Sequence, residues 1–190
     1  MLFKVEQCAP WETVFFQIDI KDAVLKIIDG GVNSTGTPAA QQSIEVTIGE
    51  GNLTYTENKN IEYVPDRGNL ASGEVREGDE APVDVTFDFK WEFITGTTPS
   101  TTGDVPTVED ALKRIGPAAA WVSTDSDACR PYAVDLELTH TPTAGCGDIE
   151  TLTFPDFRHD SLAHDLRAGT VAATGRCNVT QITPVRTANP

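Results

Sequence analysis

One run of alternating residues constrains the fold of this chain more than any other feature. Across residues 83–93, an apolar side chain occupies every odd position and a polar or charged side chain occupies every even position. A period of two is typical of a β-strand with one buried face and one face in water. The run therefore predicts a half-buried strand whose outer face is largely acidic.

Several other segments have a similar strand character. Tyr132 and the apolar residues after it alternate with Asp135, Glu137 and Thr139, and residues 44–48 alternate in the same way. Weaker strand signals lie in residues 13–28, 54–57, 61–63, 152–154 and 170–174, with turn residues at 58–60. The polar stretch after residue 154 is expected to be a loop, with a short helical turn over residues 160–168 as an alternative.

Only one segment indicates a helix. Thr107 is a favourable N-cap and Asp110 completes a capping box, while Gly116 and Pro117 end the run. The predicted helix, residues 108–115, buries one face: Val108, Leu112 and Ile115. We therefore expect a mainly β protein, an antiparallel β-sandwich or barrel flanked by one α-helix. It forms a single domain over residues 1–190 with terminal arms at residues 1–12 and 184–190.

The segment of residues 49–82 is unusually long and contains few residues that could join a core. It holds five glycines and a strongly charged stretch. A loop or hairpin of this length inside a compact domain usually has a function. We predict an ordered hairpin that contacts other subunits, with these candidate contact residues: Arg67, Glu74, Arg76, Glu77, Asp79 and Glu80.

The charge balance narrows the function. Against 29 Asp and Glu residues the chain has 14 Lys and Arg residues, a net charge of −15. Such a surface repels a phosphate backbone, so tight binding of nucleic acid is not expected. No apolar run reaches the length of a membrane span, and charged residues interrupt the first twenty positions. We expect a soluble protein that is made in a cytoplasm, without a signal peptide.

The chain offers little for catalysis or metal binding. The one cluster of suitable side chains contains Asp156, His159, Asp160, His164 and Asp165, and its two histidines lack the spacing of a helical zinc site. The signatures of serine hydrolases, P-loop proteins and zinc proteases are absent. We predict no enzyme activity, no cofactor and no metal, and we interpret the cluster as a polar loop.

The four cysteines leave two alternatives. Cys8, Cys129, Cys146 and Cys177 are widely spaced and form no metal-binding pattern. A cytoplasmic origin favours free thiols that pack as small apolar groups. If a disulfide forms, Cys129 and Cys146 are the candidate pair, because they bracket a predicted strand and its turn.

Four stretches resemble the major tail tube proteins of long-tailed bacteriophages: residues 43–68, 75–96, 129–138 and 154–178. The resemblance implies a β-sandwich or barrel flanked by a helix, assembled into hexameric rings that stack into a tube. It also implies that the subunit is a virion protein of the tail, made and assembled in the cytoplasm of the bacterial host. The implied partners are other copies of the chain, a tape-measure protein, terminator and distal tail proteins, and DNA in passage.

Two other functions remain open. A tail terminator or head–tail joining protein would have a similar fold. A β-sandwich module that binds carbohydrate or a cell-surface partner is the more distant alternative.

The acidic strand faces suggest a lining for the implied channel. DNA that slides through a tube must not be held by basic side chains, and an acidic wall meets this requirement. The candidate lumen-facing residues are Asp84, Asp88, Glu92, Asp135 and Glu137. The competing interpretation places these carboxylates on the outside of the tube, where they serve solubility.

Overall fold

The computed structural model describes residues 23–31, 41–47, 52–91, 106–142 and 147–189. In this part of the chain, antiparallel strands dominate and one α-helix accompanies them. The strands are β1 (Ala23–Ile28), β2 (Ser43–Glu45), β3 (Leu53–Thr56), β4 (Ile61–Asp66), β5 (Asn69–Glu77), β6 (Val83–Lys90), β7 (Val134–His140), β8 (Ile149–Asp165), β9 (Thr170–Cys177) and β10 (Val185–Thr187). The helix is α1 (Val108–Lys113), and a 3₁₀ helix spans Gly116–Ala120. The predicted mainly antiparallel β fold with one flanking helix is confirmed.

The long strand β8 joins two sheets. Its first half pairs with β7 and β10, and its second half pairs with β9. Between these halves the ladder is irregular, and Asp156 has a positive φ of 52°. A bulge of this kind bends a strand from one sheet into another. We call β2-β1-β7-β8-β10 the first wall and β8-β9-β6-β3 the second wall.

One apolar core fills the space between the two walls. Leu25, Ile27, Leu136 and Phe154 come from the first wall, and Val83, Val85, Phe87, Phe89, Val171 and Ala173 come from the second. Aromatic contacts cross the core: the ring centroids of Phe87 and Phe157 lie 5.8 Å apart, and those of Tyr55 and Phe154 lie 5.3 Å apart. The alternation in residues 83–90 is therefore explained, because each odd position on β6 is buried here.

The two walls also meet along the chain that follows β2. The amide of Val46 donates to the carbonyl of Leu25 at 2.8 Å, and the amide of Lys90 donates to the carbonyl of Thr47 at 3.0 Å. Residues 46 and 47 thus connect β1 of the first wall to β6 of the second. The sandwich is joined at this corner as well as through β8.

Helix α1 begins as the sequence predicts and ends earlier. The predicted capping box is confirmed: the Thr107 side chain accepts from the Asp110 amide, and the Asp110 carboxylate accepts from the Thr107 amide. The helix ends at Lys113 because Arg114 adopts a left-handed conformation. Val108 and Leu112 are buried, but Ile115 is 48% exposed, so its predicted burial was wrong.

The polar stretch after residue 154 is a strand rather than a loop or helical turn. It forms the second half of β8, and the turn comes only at residues 166–169. One polar side chain here pairs across the sheet, and another accepts amides of the turn that follows the strand. Asp160 pairs with Arg176 of β9 at 2.8 Å, and Asp165 accepts the amides of Arg167 and Ala168 in the turn. The cross-strand pair supports a hydrophilic sequence as a strand, and the Asp165 contacts stabilise the turn at its end.

Candidate functional site

Strands β4 and β5 form a hairpin of their own, separate from both walls. We call residues 61–77 the arm. Its strands are antiparallel, with Tyr63 opposite Val75, and its turn lies at Arg67 and Gly68, where φ is 47° and 82°. Six residues of β4 at about 3.3 Å each make the arm about 20 Å long.

The arm carries apolar side chains that the rest of the subunit does not cover. Tyr63 and Val75 are each 60% exposed, and Ile61 and Val64 are each 41% exposed. An isolated two-stranded hairpin is marginally stable in water, because it has no core to bury such side chains. Ile61, Tyr63 and Val75 share one face of the hairpin, and Val64 lies on the other face. Exposed apolar side chains that share a face form a surface suited to contact with another protein.

Two ion pairs join the strands and the base of the arm. Arg76 contacts Glu62 at 2.8 Å, and Lys59 contacts Glu77 at 2.9 Å. The hydrogen bond and charge of Lys59 lower the pKa of Glu77. Both pairs are well exposed, so they fix the geometry of the arm more than they stabilise the fold.

A polar cleft lies where the arm leaves the body of the subunit. Its volume is about 280 Å³. It is lined by Glu57, Asn58, Lys59, Asn60, Glu77, Gly78, Asp79, Glu80, Ala81, Thr180 and Gln181. The Gly78 amide donates to the Asn60 carbonyl at 3.0 Å, and Glu57 accepts the Ile182 amide at 2.7 Å. The cleft therefore combines residues from the base of the arm with the chain after β9.

The candidate contact residues are distributed along this arm and its base. Arg67 lies at the turn, on the tip. Glu74, Arg76 and Glu77 lie on β5, and Asp79 with Glu80 lies at the base beside the cleft. Residues 49–51 of the predicted segment lie outside the described residues. Residues 58–60, predicted as turn residues between two strands, lie between β3 of the second wall and β4 of the arm.

The five acidic lumen candidates do not share one surface. Asp84 and Asp88 lie on β6 of the second wall, whereas Asp135 and Glu137 lie on β7 of the first. Both strands turn their other faces into the same core, so these two acidic pairs point away from each other. Glu92 lies outside the described residues.

The pair on the second wall is held by amide side chains. Asn58 donates to Asp84 at 2.9 Å, and Asn52 donates to Asp88 at 3.1 Å. The same outer face carries Thr86, whose hydroxyl lies 3.5 Å from that of Thr174 on β9. Both carboxylates are thus fixed on an outer face that also carries the basic side chains of Lys90 and Arg176.

Asp135 has a different environment, at the bulge where β8 changes walls. Its carboxylate accepts the Asp156 amide at 2.8 Å. Burial raises its pKa, and the nearby Asp156 carboxylate acts in the same direction. The Thr124 hydroxyl donates to the Asp156 carboxylate at 2.8 Å. Asp135 therefore supports the bend in β8.

The His and Asp cluster of β8 is dispersed by the strand. His164 lies 3.3 Å from Glu109 of α1 and against the ring of Trp91. His159 is half-buried, and burial lowers its pKa. Within the described ranges, no group of three or more His, Cys, Asp or Glu side chains is placed to hold a metal ion.

The two cysteines of the predicted pair are not both placed. Cys129 is exposed in the loop before β7, and Cys146 lies outside the described residues. Cys177 is buried in the core, and burial raises the pKa of its thiol to about 12. A disulfide between Cys129 and Cys146 stays a prediction.

The terminal arms are placed only in part. Residues 1–12 lie outside the described residues. Residues 184–189 run along the chain's own first wall, where β10 pairs with β8 and Asn189 donates to the Pro142 carbonyl at 2.8 Å. In the described part of the chain, no helix has the length and hydropathy to cross a membrane. No protein-family model and no curated protein matches this sequence.

Proposed function

We propose that this chain is a structural subunit that polymerises into a tube, as the major tail tube protein of a long-tailed bacteriophage. Copies form rings, and the rings stack into a channel for DNA in the tail of the virion. The hexameric number of the ring and the roles of tape-measure, terminator and distal tail proteins follow from the sequence resemblance alone.

The observation that carries this proposal is the exposed arm. In a single copy, more than half of the surface of Tyr63 and of Val75 is exposed to water. Burying these side chains against another copy would remove apolar area from water at about 25 cal/mol per Å². An arm about 20 Å long is long enough to contact a neighbouring copy beyond the edge of the body.

The second wall is the better candidate for the channel lining. Asp84 and Asp88 are held outward by Asn58 and Asn52, whereas Asp135 is occupied by the bulge in β8. The basic side chain of Arg176 on this wall is paired with Asp160 at 2.8 Å. DNA would thus meet two oriented carboxylates, a partly neutralised guanidinium and the exposed Lys90, which shares the outer face of β6 with the carboxylates.

Replacing the arm by a short linker tests the proposal. We expect the variant without residues 61–77, its ends joined by a Gly-Ser linker, to fold but to remain unpolymerised at concentrations where the wild type forms tubes. The physical reason is that the body keeps its core, since the arm strands belong to neither wall. Negative-stain electron microscopy counts the tubes, and circular dichroism checks the fold.

Side-chain variants provide the matched control. Tyr63→Ser with Val75→Ser should reduce tube formation, whereas Val24→Ser, at an exposed valine of the first wall, should not. Normal tubes from the armless variant would contradict the role of the arm. A wild type that forms only single rings would favour a terminator or joining protein, and one that stays monomeric would favour a binding module.

A further inference from the structure

The tip of the arm carries an arginine where the turn favours another residue. Arg67 and Gly68 occupy the central positions of the turn with φ of 47° and 82°. Two positive φ values define a turn that prefers Asn-Gly or Gly-Gly, because a long side chain is disfavoured there. No carboxylate of the described residues pairs with Arg67. Its guanidinium is therefore presented outward at the far end of the arm.

The base of the arm has the complementary charge. Asp79 and Glu80 line the cleft, and no cation in the described ranges pairs with either carboxylate. The one lysine of the cleft, Lys59, is already paired with Glu77. An arginine side chain fits such a site well, because its planar guanidinium bonds two carboxylate oxygens at once.

The tip cannot reach the base of its own arm. About 20 Å of paired strand separates Arg67 from the cleft, and the ladder holds the arm extended. An Arg67 side chain that enters this cleft would therefore have to come from a different copy. Contacts between unlike surfaces of identical subunits repeat without closing, unless a rotation closes them into a ring.

We infer that the tip of one copy docks in the base cleft of the next, with Arg67 bound by Asp79 and Glu80. This inference rests on the proposed polymerisation and names the partner of the arm. Each subunit carries a net charge of −15, so close approach of two copies is opposed by repulsion. A contact between an unpaired cation and unpaired carboxylates offsets that repulsion locally and sets the register between copies.

Charge reversal at each end of the contact tests it. We expect Arg67→Glu alone, and Asp79→Arg with Glu80→Arg, each to raise the concentration needed for polymerisation by about tenfold or more. An equimolar mixture of the two variants should restore tubes, because the reversed tip of one then meets the reversed base of the other. The matched control is Arg167→Glu, at an exposed arginine in the turn after β8.

The outcomes separate this contact from the proposed function. Rescue in the mixture, with a control that polymerises normally, supports the docking of tip to base. If wild type polymerises and both reversed variants polymerise equally well, the docking is overturned while the proposed function stands. Equal loss in the control, or no rescue in the mixture of folded variants, also overturns the docking. A wild type that never polymerises overturns both.

Discussion

At the scale of single residues, the bend in β8 depends on a carboxylate whose charge is unfavourable. Asp135 accepts the Asp156 amide, yet burial raises its pKa. An acid whose pKa is raised in the folded state stabilises the fold in its protonated form. Its contribution to the free energy of unfolding is therefore fully present below the pKa of the unfolded state. That contribution is lost as pH rises through the folded pKa. The bend is therefore held against an electrostatic cost at neutral pH.

Asp135→Asn should raise the thermal midpoint by a few degrees at pH 7. The amide oxygen still accepts from the Asp156 amide, while the repulsion from the Asp156 carboxylate disappears. Near pH 3 the difference should vanish, because wild-type Asp135 is then protonated. Calorimetry at both pH values measures this. A lower midpoint for the variant at pH 7 that disappears at pH 3 would show instead that the charge itself supports the bend.

A glycine opposite the bulge allows β9 to lie close to β8. A Cβ atom at Gly175 would lie 2.1 Å from the Arg158 carbonyl oxygen and 2.7 Å from the Phe157 ring. Gly175→Ala should therefore destabilise the fold by about 1–3 kcal/mol, because the backbone must shift. Thr174→Ala, at the exposed neighbour, is the control. Urea unfolding gives both values, and equal effects would mean that the strands tolerate the Cβ.

At the scale of elements, the predicted buried face of helix α1 agrees with the structure at one residue and differs at another, because packing and not helical spacing alone decides burial. Leu112 is 2% exposed and Ile115 is 48% exposed, although helical spacing places both on one face. Leu112→Asp should cost several kcal/mol, since an unpaired charge enters the core. Ile115→Asp should cost little. Chemical denaturation measures the free energy of unfolding of both variants. Equal losses would mean that Ile115 is buried as the sequence predicts.

The predictable elements are those whose signal is local. The alternation in residues 83–90 and the capping box at Thr107 depend on neighbouring residues, and both are confirmed. The second half of β8 was missed because its polar side chains are satisfied by distant partners, such as Arg176 for Asp160. Pairing between residues of two different strands cannot be predicted from the local sequence pattern.

The candidate site was likewise predictable only where its signal is local in the sequence. The length and low hydrophobicity of residues 49–82 indicated a long hairpin that contacts other subunits. The base cleft could not be predicted in this way, because it combines Glu57, Asp79 and Thr180, which only the fold brings together. The acidic candidates were predicted to line one surface, but they lie on two different walls. Alternation shows which side chains of a strand share a face, but it does not show to which wall the strand belongs. Long-range strand order was the missing information.

At the scale of the whole molecule, the proposed channel could be lined by the outer face of either wall, and substitutions on each wall can distinguish the two arrangements. On a tube, one wall faces inward and meets DNA, and the other faces subunits or solvent. Asp84→Lys with Asp88→Lys places cations on the second wall, and Glu137→Lys with Glu45→Lys places the same number on the first. The two variants carry the same net charge and differ only in the wall.

If the second wall lines the channel, particles with Asp84→Lys and Asp88→Lys should assemble but release DNA more slowly, because fixed cations hold phosphates. Higher salt should relieve the delay, since screening shortens the range of the attraction to about 8 Å at 0.15 M and 3 Å at 1 M. Particles with the first-wall substitutions should release DNA at the wild-type rate. Dye-based kinetics of DNA release measure all three. A salt-sensitive delay confined to the first-wall variant would assign the channel to that wall. Unchanged release from both variants would place all four substituted positions away from the DNA.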